Sequence, residues 1–270
     1  MTGDPRGDVS TGDPRRYRAR LSYVGTRFHG WQRQRNAPRT VQAAVERALS
    51  ALEGSAVAAT AAGRTDAGVH ADGQVIHFDL SRPRESDRVL GAANALLPDD
   101  VRVIDVAPAS DGFHARRDAL WKEYVYCWSR ARVISPREAP FVAPLSPRAD
   151  VGRMRRAAEL LPGRRDFAVF GVRLPGGESS VRCLHFVRLE ESGDAIAALF
   201  RGDAFLRGMV RSIAGLLADV GRGKAPPERA VELLETGDRR LLSPKAPAHG
   251  LTLRRVCYPG DLTDGEAEGE

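Results

Sequence analysis

A chain of 270 residues with 42% hydrophobic content can build one large domain or two small ones around a genuine core. It has no run of about 18 apolar residues and no apolar leader, which argues against a membrane span or export and makes the cytoplasm the expected location. Its formal charge of +6 understates the basicity. Residues 1–16 hold three acids and three bases, and 261–270 hold five acids and no base, so the body keeps 38 bases against 27 acids. An excess of that size suits a polyanionic partner, although an Arg- and Ala-rich composition alone produces the same excess.

Tyr17 to Val24 alternates with Tyr17, Ala19, Leu21 and Tyr23 on one side, the period of a half-buried strand. Thr40 is placed to cap a helix with a stripe of Val41, Val45, Leu49 and Leu52. Gln74 to Leu80 reads as a strand, Ser86 as the cap of a second helix stopped by Pro98, and Val101 to Val106 as another strand. The order then repeats. Lys122 to Trp128 is strand-like, Asp150 starts a helix, and Val181 to Glu190 with Ala195 to Arg201 forms a hairpin closed at Ser192-Gly193. A helix from about Leu206 to Val220 follows, with Gly221 past its end, and a last helix runs from Pro227 to just before Gly237. Strands and helices interleave twice, which suits two α+β units sharing sheet edges better than one doubly wound parallel sheet. The Gly/Asp/Glu-rich ends read as disordered. Gly171 to Ser180 is Gly/Pro-rich and matches no element.

Cys127, Cys183 and Cys257 are far apart and odd in number, and the six histidines are scattered, so neither a disulfide framework nor a metal site is expected. The cysteines read as small buried hydrophobes. The segment that carries chemistry is Ala62 to Ala71, AGRTDAGVHA, where Gly63 and Gly68 bracket Arg64, Thr65 and Asp66. Glycines there allow a sharp turn and close approach of a ligand. Taken alone, the R-T-D tripeptide fits an Asx-type turn with a surface ion pair better than a catalytic site. Likewise, Tyr124, Tyr126 and Trp128 share one strand face and read as aromatic core.

Context changes that balance. The loop resembles, almost letter for letter, the catalytic loop of the tRNA pseudouridine synthase A family. Further motifs of that family follow in order. Tyr23 to Gln34 resembles its Y-x-G-t-x-F-x-G-W-Q-x-Q signature and is followed by Thr40-Val41-Gln42; then come Gly73-Gln74-Val75, Leu96-Leu97-Pro98, Phe113-His114-Ala115-Arg116, Lys122-Glu123-Tyr124-Val125-Tyr126, Met209-Val210-Arg211 and Gly250-Leu251.

The resemblance implies an α+β fold of two ferredoxin-like (RRM-like) subdomains, with mainly antiparallel sheets joined around a central basic cleft. On this reading residues 17–110 carry Asp66 and residues 111–260 carry Tyr124 and Arg211, between a disordered 1–16 and a disordered acidic tail 261–270. It implies an isomerase that converts uridine to pseudouridine at positions 38, 39 and 40 of the tRNA anticodon arm, as a homodimer, with no cofactor and no metal. Asp66 would be the catalytic aspartate and Arg211 its ion-pair partner. Arg64 would hold RNA, Tyr124 would meet the flipped uracil, and Val210 and Leu251 would wall the pocket, although both read equally as plain core. Arg27, Trp31 and Arg33 on one loop, and His114 and Arg116 on another, would face RNA, with a core anchor as the other reading of Trp31. Before Met209 the family often has His or Asn, where this chain has Leu206-Arg207-Gly208.

Overall fold

The computed structural model describes residues 15–37, 39–172 and 179–261. The expected disorder of residues 1–14 and 262–270, and most of the Gly/Pro-rich segment 171–180, lies outside that range. Arg15 and Arg16, however, already belong to the first strand, and Asp261 accepts hydrogen bonds from Arg18, so the ordered body is slightly longer at both ends than expected.

Chain order begins β1 (Arg15–Tyr23), α1 (Val41–Glu53), β2 (Thr60–Ala61), β3 (His70–Leu80), α2 (Ser86–Leu96) and β4 (Val101–Pro108). It continues β5 (Trp121–Ser129), β6 (Ala143–Pro144), α3 (Val151–Glu159), β7 (Gly163–Asp166), β8 (Val181–Ser192), β9 (Ala195–Gly202), α4 (Met209–Gly221), α5 (Arg229–Thr236) and β10 (Leu251–Cys257). The period-2 pattern of β1 is realised as expected: Tyr17, Ala19, Leu21 and Tyr23 are buried. They share one core with Val41, Val45 and Leu49 of α1, whose cap Thr40 accepts a hydrogen bond from Ala43 N at 3.3 Å. Asp150 caps α3 through Arg153 N at 2.9 Å.

Four local expectations shift. Glu85, not Ser86, precedes α2, and it makes no side-chain cap bond. The β8–β9 hairpin turns at Gly193-Asp194, because Ser192 still pairs with Ala195 and Gly193 supplies a φ of 57°. α4 starts at Met209, since Gly208 at φ +78° breaks the run that the apolar stripe alone extends to Leu206. Of the three cysteines, only Cys257 is fully buried; Cys127 and Cys183 are half-buried.

The strands do not form two separate sheets. They join in the order β4-β1-β3-β10-β5-β9-β8-β7, with β2 on β3 and β6 on β5, in one mainly antiparallel mixed sheet. The join is made by β10, which sequence periodicity alone does not reveal. It pairs in parallel with the start of β3 (Thr252 with His70, Leu253 with Ala71) and antiparallel with β5 (Leu251 with Tyr126, Leu253 with Tyr124). The AGRTD loop that leads into β3 is thereby set beside the aromatic face of β5 and the first residue of β10.

Candidate active site

Asp66 lies in the loop between β2 and β3, and three packing relations fix that loop. Tyr23 and Thr65 share a hydroxyl hydrogen bond of 2.9 Å, Gln74 Nε2 donates to Gly63 O at 2.8 Å, and Trp31 N donates to Thr65 O at 3.1 Å. Tyr23, Thr65 and Gln74 are buried, so these bonds form out of reach of water, and losing one leaves a polar group stranded. Burial also pushes the Tyr23 hydroxyl up to about 12, which keeps it neutral. The segment 25–31 backs the loop so closely that a Cβ at Gly25 would stand 1.9 Å from Val69 O, and one at Gly30 2.7 Å from Thr65 O. Gly30 also has φ +88°. The glycines of the Gly-Thr-Arg-Phe-His-Gly-Trp segment are therefore spacers behind the Asp66 loop.

The Asp66 carboxylate is 23% exposed, and two cations meet it. Arg211, in the first turn of α4, donates from Nη1 to Oδ2 at 3.1 Å and from Nε to Ala246 O at 2.9 Å. Its guanidinium is thus held on two sides and is itself 20% exposed. Arg207 Nε stands 3.6 Å from Oδ1 on a side chain that is 72% exposed. Two guanidiniums hold the carboxylate in a fixed orientation, as a nucleophile or a base requires. The loop 244–247 that carries Ala246 lies hard against α4: a Cβ at Gly215 would come 2.1 Å from Pro244 O.

Tyr124 is 7% exposed, and its ring meets Phe205 edge-on at 5.1 Å between centroids. Its hydroxyl has no hydrogen-bond partner among the described residues. Burial first, then the neighbouring Tyr23 and Asp66, raise its pKa, so it stays a neutral donor. Val210 and Leu251 are buried, with 4% and 5% exposure. Arg64 is exposed and has no ion-pair partner among the described residues.

The outlying positions divide. Arg27 pairs with Asp100 at 3.0 Å, and Arg39 pairs with the same oxygen at 2.7 Å; Arg33 pairs with Glu46 at 3.1 Å. Both Arg27 and Arg33 remain exposed, but each has an acid of its own. Trp31 corrects the expectation of an RNA-facing aromatic: it is 2% exposed and packs on Tyr23 with centroids 6.4 Å apart. Alternation on one loop cannot separate an indole that faces out from one that anchors the loop. Arg116 is exposed in a turn built around His114, whose Nδ1 accepts from the backbone N of Arg116 and Arg117. That turn is held to β3 because His77 Nδ1 accepts from Ala115 N at 3.1 Å, with the two imidazoles 4.8 Å apart.

Sequence reasoning missed Phe205, Arg207 and Lys122. Lys122 stands in the quoted Lys122-Glu123-Tyr124 motif, two residues from Tyr124 and on the same strand face, which is the signal that could have found it.

With this geometry in view, the family model described as tRNA pseudouridine synthase matches residues 19–117 and 157–259. The chain belongs to that family. The tRNA pseudouridine synthase A of Pseudomonas aeruginosa is 42% identical over 242 residues, covering 90% of this chain and 85% of that protein. Those of Neisseria gonorrhoeae and Myxococcus xanthus are each 39% identical, covering 93% and 94% of this chain and 95% and 98% of theirs. The match to tRNA pseudouridine synthases, isomerases that turn uridine into pseudouridine, covers Asp66, Arg207 and Arg211, while Lys122 and Tyr124 lie in the stretch between its two segments.

Proposed function

We propose that this chain isomerises uridines of the tRNA anticodon arm, at positions 38 to 40, with Asp66 as the acting carboxylate. The observation that carries the reading is the 3.1 Å contact between Asp66 Oδ2 and a doubly anchored Arg211, next to a buried tyrosine whose hydroxyl has no partner among the described residues. In the reaction the N1–C1′ bond of uridine breaks, the uracil turns while still held, and C5 bonds to C1′ in place of N1. Asp66 serves this either as a nucleophile at C1′ or as a base that removes the C2′ proton to give a glycal. Hydrolytic glycosidases use a second carboxyl group to protonate the departing group. Here the departing base returns as the nucleophile, so one carboxylate suffices.

The remaining roles follow from position. Tyr124 stacks on or donates to the extruded uracil, Val210 and Leu251 give the pocket apolar walls, and Arg64 is free to contact RNA once the target nucleotide leaves its stack. Arg116 and His114 hold the RNA at a second turn, while Arg27 and Arg33 add to the field through side chains that their own acids partly balance. The halves 17–110 and 111–260 act as the two sides of the cleft, with β10 as the seam. A homodimer is the state implied by the resemblance, and sedimentation of the purified protein tests it.

The deciding experiment incubates the protein with an unmodified anticodon-arm tRNA and maps pseudouridine chemically. Wild type is expected to form it at positions 38 to 40, and Asp66→Asn, which keeps the shape but loses the charge, is expected to lose at least 10³-fold in rate, roughly the size of removing a covalent or basic catalyst. Product from Asp66→Asn at the wild-type rate removes the assignment. Release of free uracil in place of product marks a glycosidase.

A further inference from the structure

Lys122 is 8% exposed on the same face of β5 as Tyr124, yet its ammonium has no hydrogen bond and no ion pair among the described residues. Its stem lies over the catalytic loop: a Cβ built at Gly63 would stand 3.8 Å from both Cδ and Cε of Lys122, and 3.8 Å from the Tyr124 hydroxyl. The charges that bear on the ammonium are Arg116 and Arg182, of like sign, and Asp203, of opposite sign. Asp203 is already committed, since its Oδ1 accepts from Cys183 N and Ala204 N. Arg182 turns toward its own backbone, donating to Ser179 O and Val181 O. Arg116 keeps its guanidinium exposed, with no acceptor among the described residues. A buried cation facing a second cation is costly unless an anion completes the group.

We propose that Lys122 and Arg116 form a phosphate-binding subsite at the Gly63 side of the Asp66 loop, which grips a backbone phosphodiester of the RNA beside the extruded nucleotide. This rests on reading the Asp66 pocket as an RNA-modifying site, and it assigns a ligand to a lysine that the isomerisation chemistry leaves idle. A phosphate fits better than a uracil carbonyl, because an anion offsets the charge of a buried ammonium and of an exposed guanidinium that acts on it, and a neutral acceptor offsets neither. Fixing the phosphate next to the target holds the sugar while the base is turned, and Gly63, lacking a side chain, keeps that approach open. Burial lowers the Lys122 pKa to about 8, so in the free protein the ammonium is only loosely held as a cation, and an arriving phosphate would lock its proton on.

Two measurements on the full chain test this. In the first, binding of an unmodified tRNA transcript is followed between about 50 and 200 mM salt for wild type, Lys122→Arg and Lys122→Met. Lys122→Met is expected to bind about tenfold more weakly, with a log–log salt slope smaller by about 0.7–0.9, the share of one phosphate contact; Lys122→Arg keeps the slope. In the second, the Lys122 ammonium of lysine-labelled wild type is titrated by NMR with and without the tRNA, and its pKa is expected to climb above the free value of about 8 when RNA is bound. A folded Lys122→Met protein with unchanged affinity and slope overturns the subsite, and so does an ammonium whose pKa the RNA leaves in place. The NMR titration uses wild type, so it decides even if Lys122→Met fails to fold. Pseudouridine is mapped in the same samples: a wild type that grips phosphate through Lys122 but forms no product sinks the isomerase reading while the subsite stands.

Discussion

Few groups touch the Asp66 carboxylate, and most of their precision comes from residues with little or no side chain. Gly30 is the clearest case. With φ +88° and Thr65 O at 2.7 Å from its would-be Cβ, Gly30→Ala forces the left-handed backbone into strain and pushes on the peptide just before Asp66. The expected result is a folded protein destabilised by about 2 kcal/mol, with a fall in kcat larger than its change in KM, because the carboxylate moves relative to Arg211. Thermal melting and steady-state kinetics on tRNA check both parts, and an Ala variant with wild-type kcat would show that the loop tolerates the push. Lys122 works in the opposite direction. Its pKa is lowered from 10.5 to about 8 by burial, so below pH 8 it is charged in both the folded and unfolded states and the fold bears the cost of hiding that charge. Stability therefore rises as pH climbs from about 8 toward 10.5. Lys122→Met is expected to melt higher than wild type at pH 7, and a lower melting point would mean that the ammonium has a stabilising partner.

At the scale of single elements, β3 does two jobs through two histidines. At its start His70 Nδ1 accepts from Gly25 N at 3.1 Å, and in its middle His77 Nδ1 accepts from Ala115 N, so one strand position pins the segment behind the Asp66 loop and the other pins the His114 turn. Accepting a backbone proton requires a bare ring nitrogen, and burial lowers both imidazoles, His77 to about 4. A histidine lowered in the folded state supports the fold above its ordinary pKa of 6.5, and that support is lost as pH falls toward 4. Wild type is expected to lose about 2 kcal/mol more than His77→Gln between pH 6.5 and 4.5 in chemical denaturation, since glutamine keeps an acceptor that does not titrate. Equal losses would remove His77 from the acid response.

Element types were legible in the sequence where burial follows one period, as in β1 and α1, because water on one face and core on the other leave a periodic record. β10 was not legible as a strand. It sits between β3 and β5 with Leu251, Leu253, Val256 and Cys257 buried, and arginines at 254 and 255 break the alternation at the irregular step in its pairing with β5. Within the site, Asp66 and Arg211 could be read from motifs. Phe205 and Arg207 could not, because they come from the turn before α4, which the apolar stripe disguises as helix.

Over the whole molecule, the cations divide into those that already have acids and those that do not. Arg27 shares Asp100 with Arg39, and Arg33 has Glu46, whereas Arg64, Arg116 and Lys122 have no ion-pair partner among the described residues. Those three cations belong to the Asp66 loop, the His114 turn and β5. Substituting Arg116→Gln is expected to lower the salt dependence of tRNA binding by close to one phosphate contact, and Arg33→Gln by clearly less, since the latter also releases Glu46. Equal slopes for the two variants would mean that the internal pairs open on binding. No helix among the described residues is long and apolar enough to cross a membrane.

The central position of β10 also bears on how the protein is made. A ribosome emits this strand after every other strand of the sheet, so during synthesis β3 and β5 both wait with open edges. Prematurely ended chains are therefore expected to stick to one another through those edges, until the late strand slides between its two neighbours.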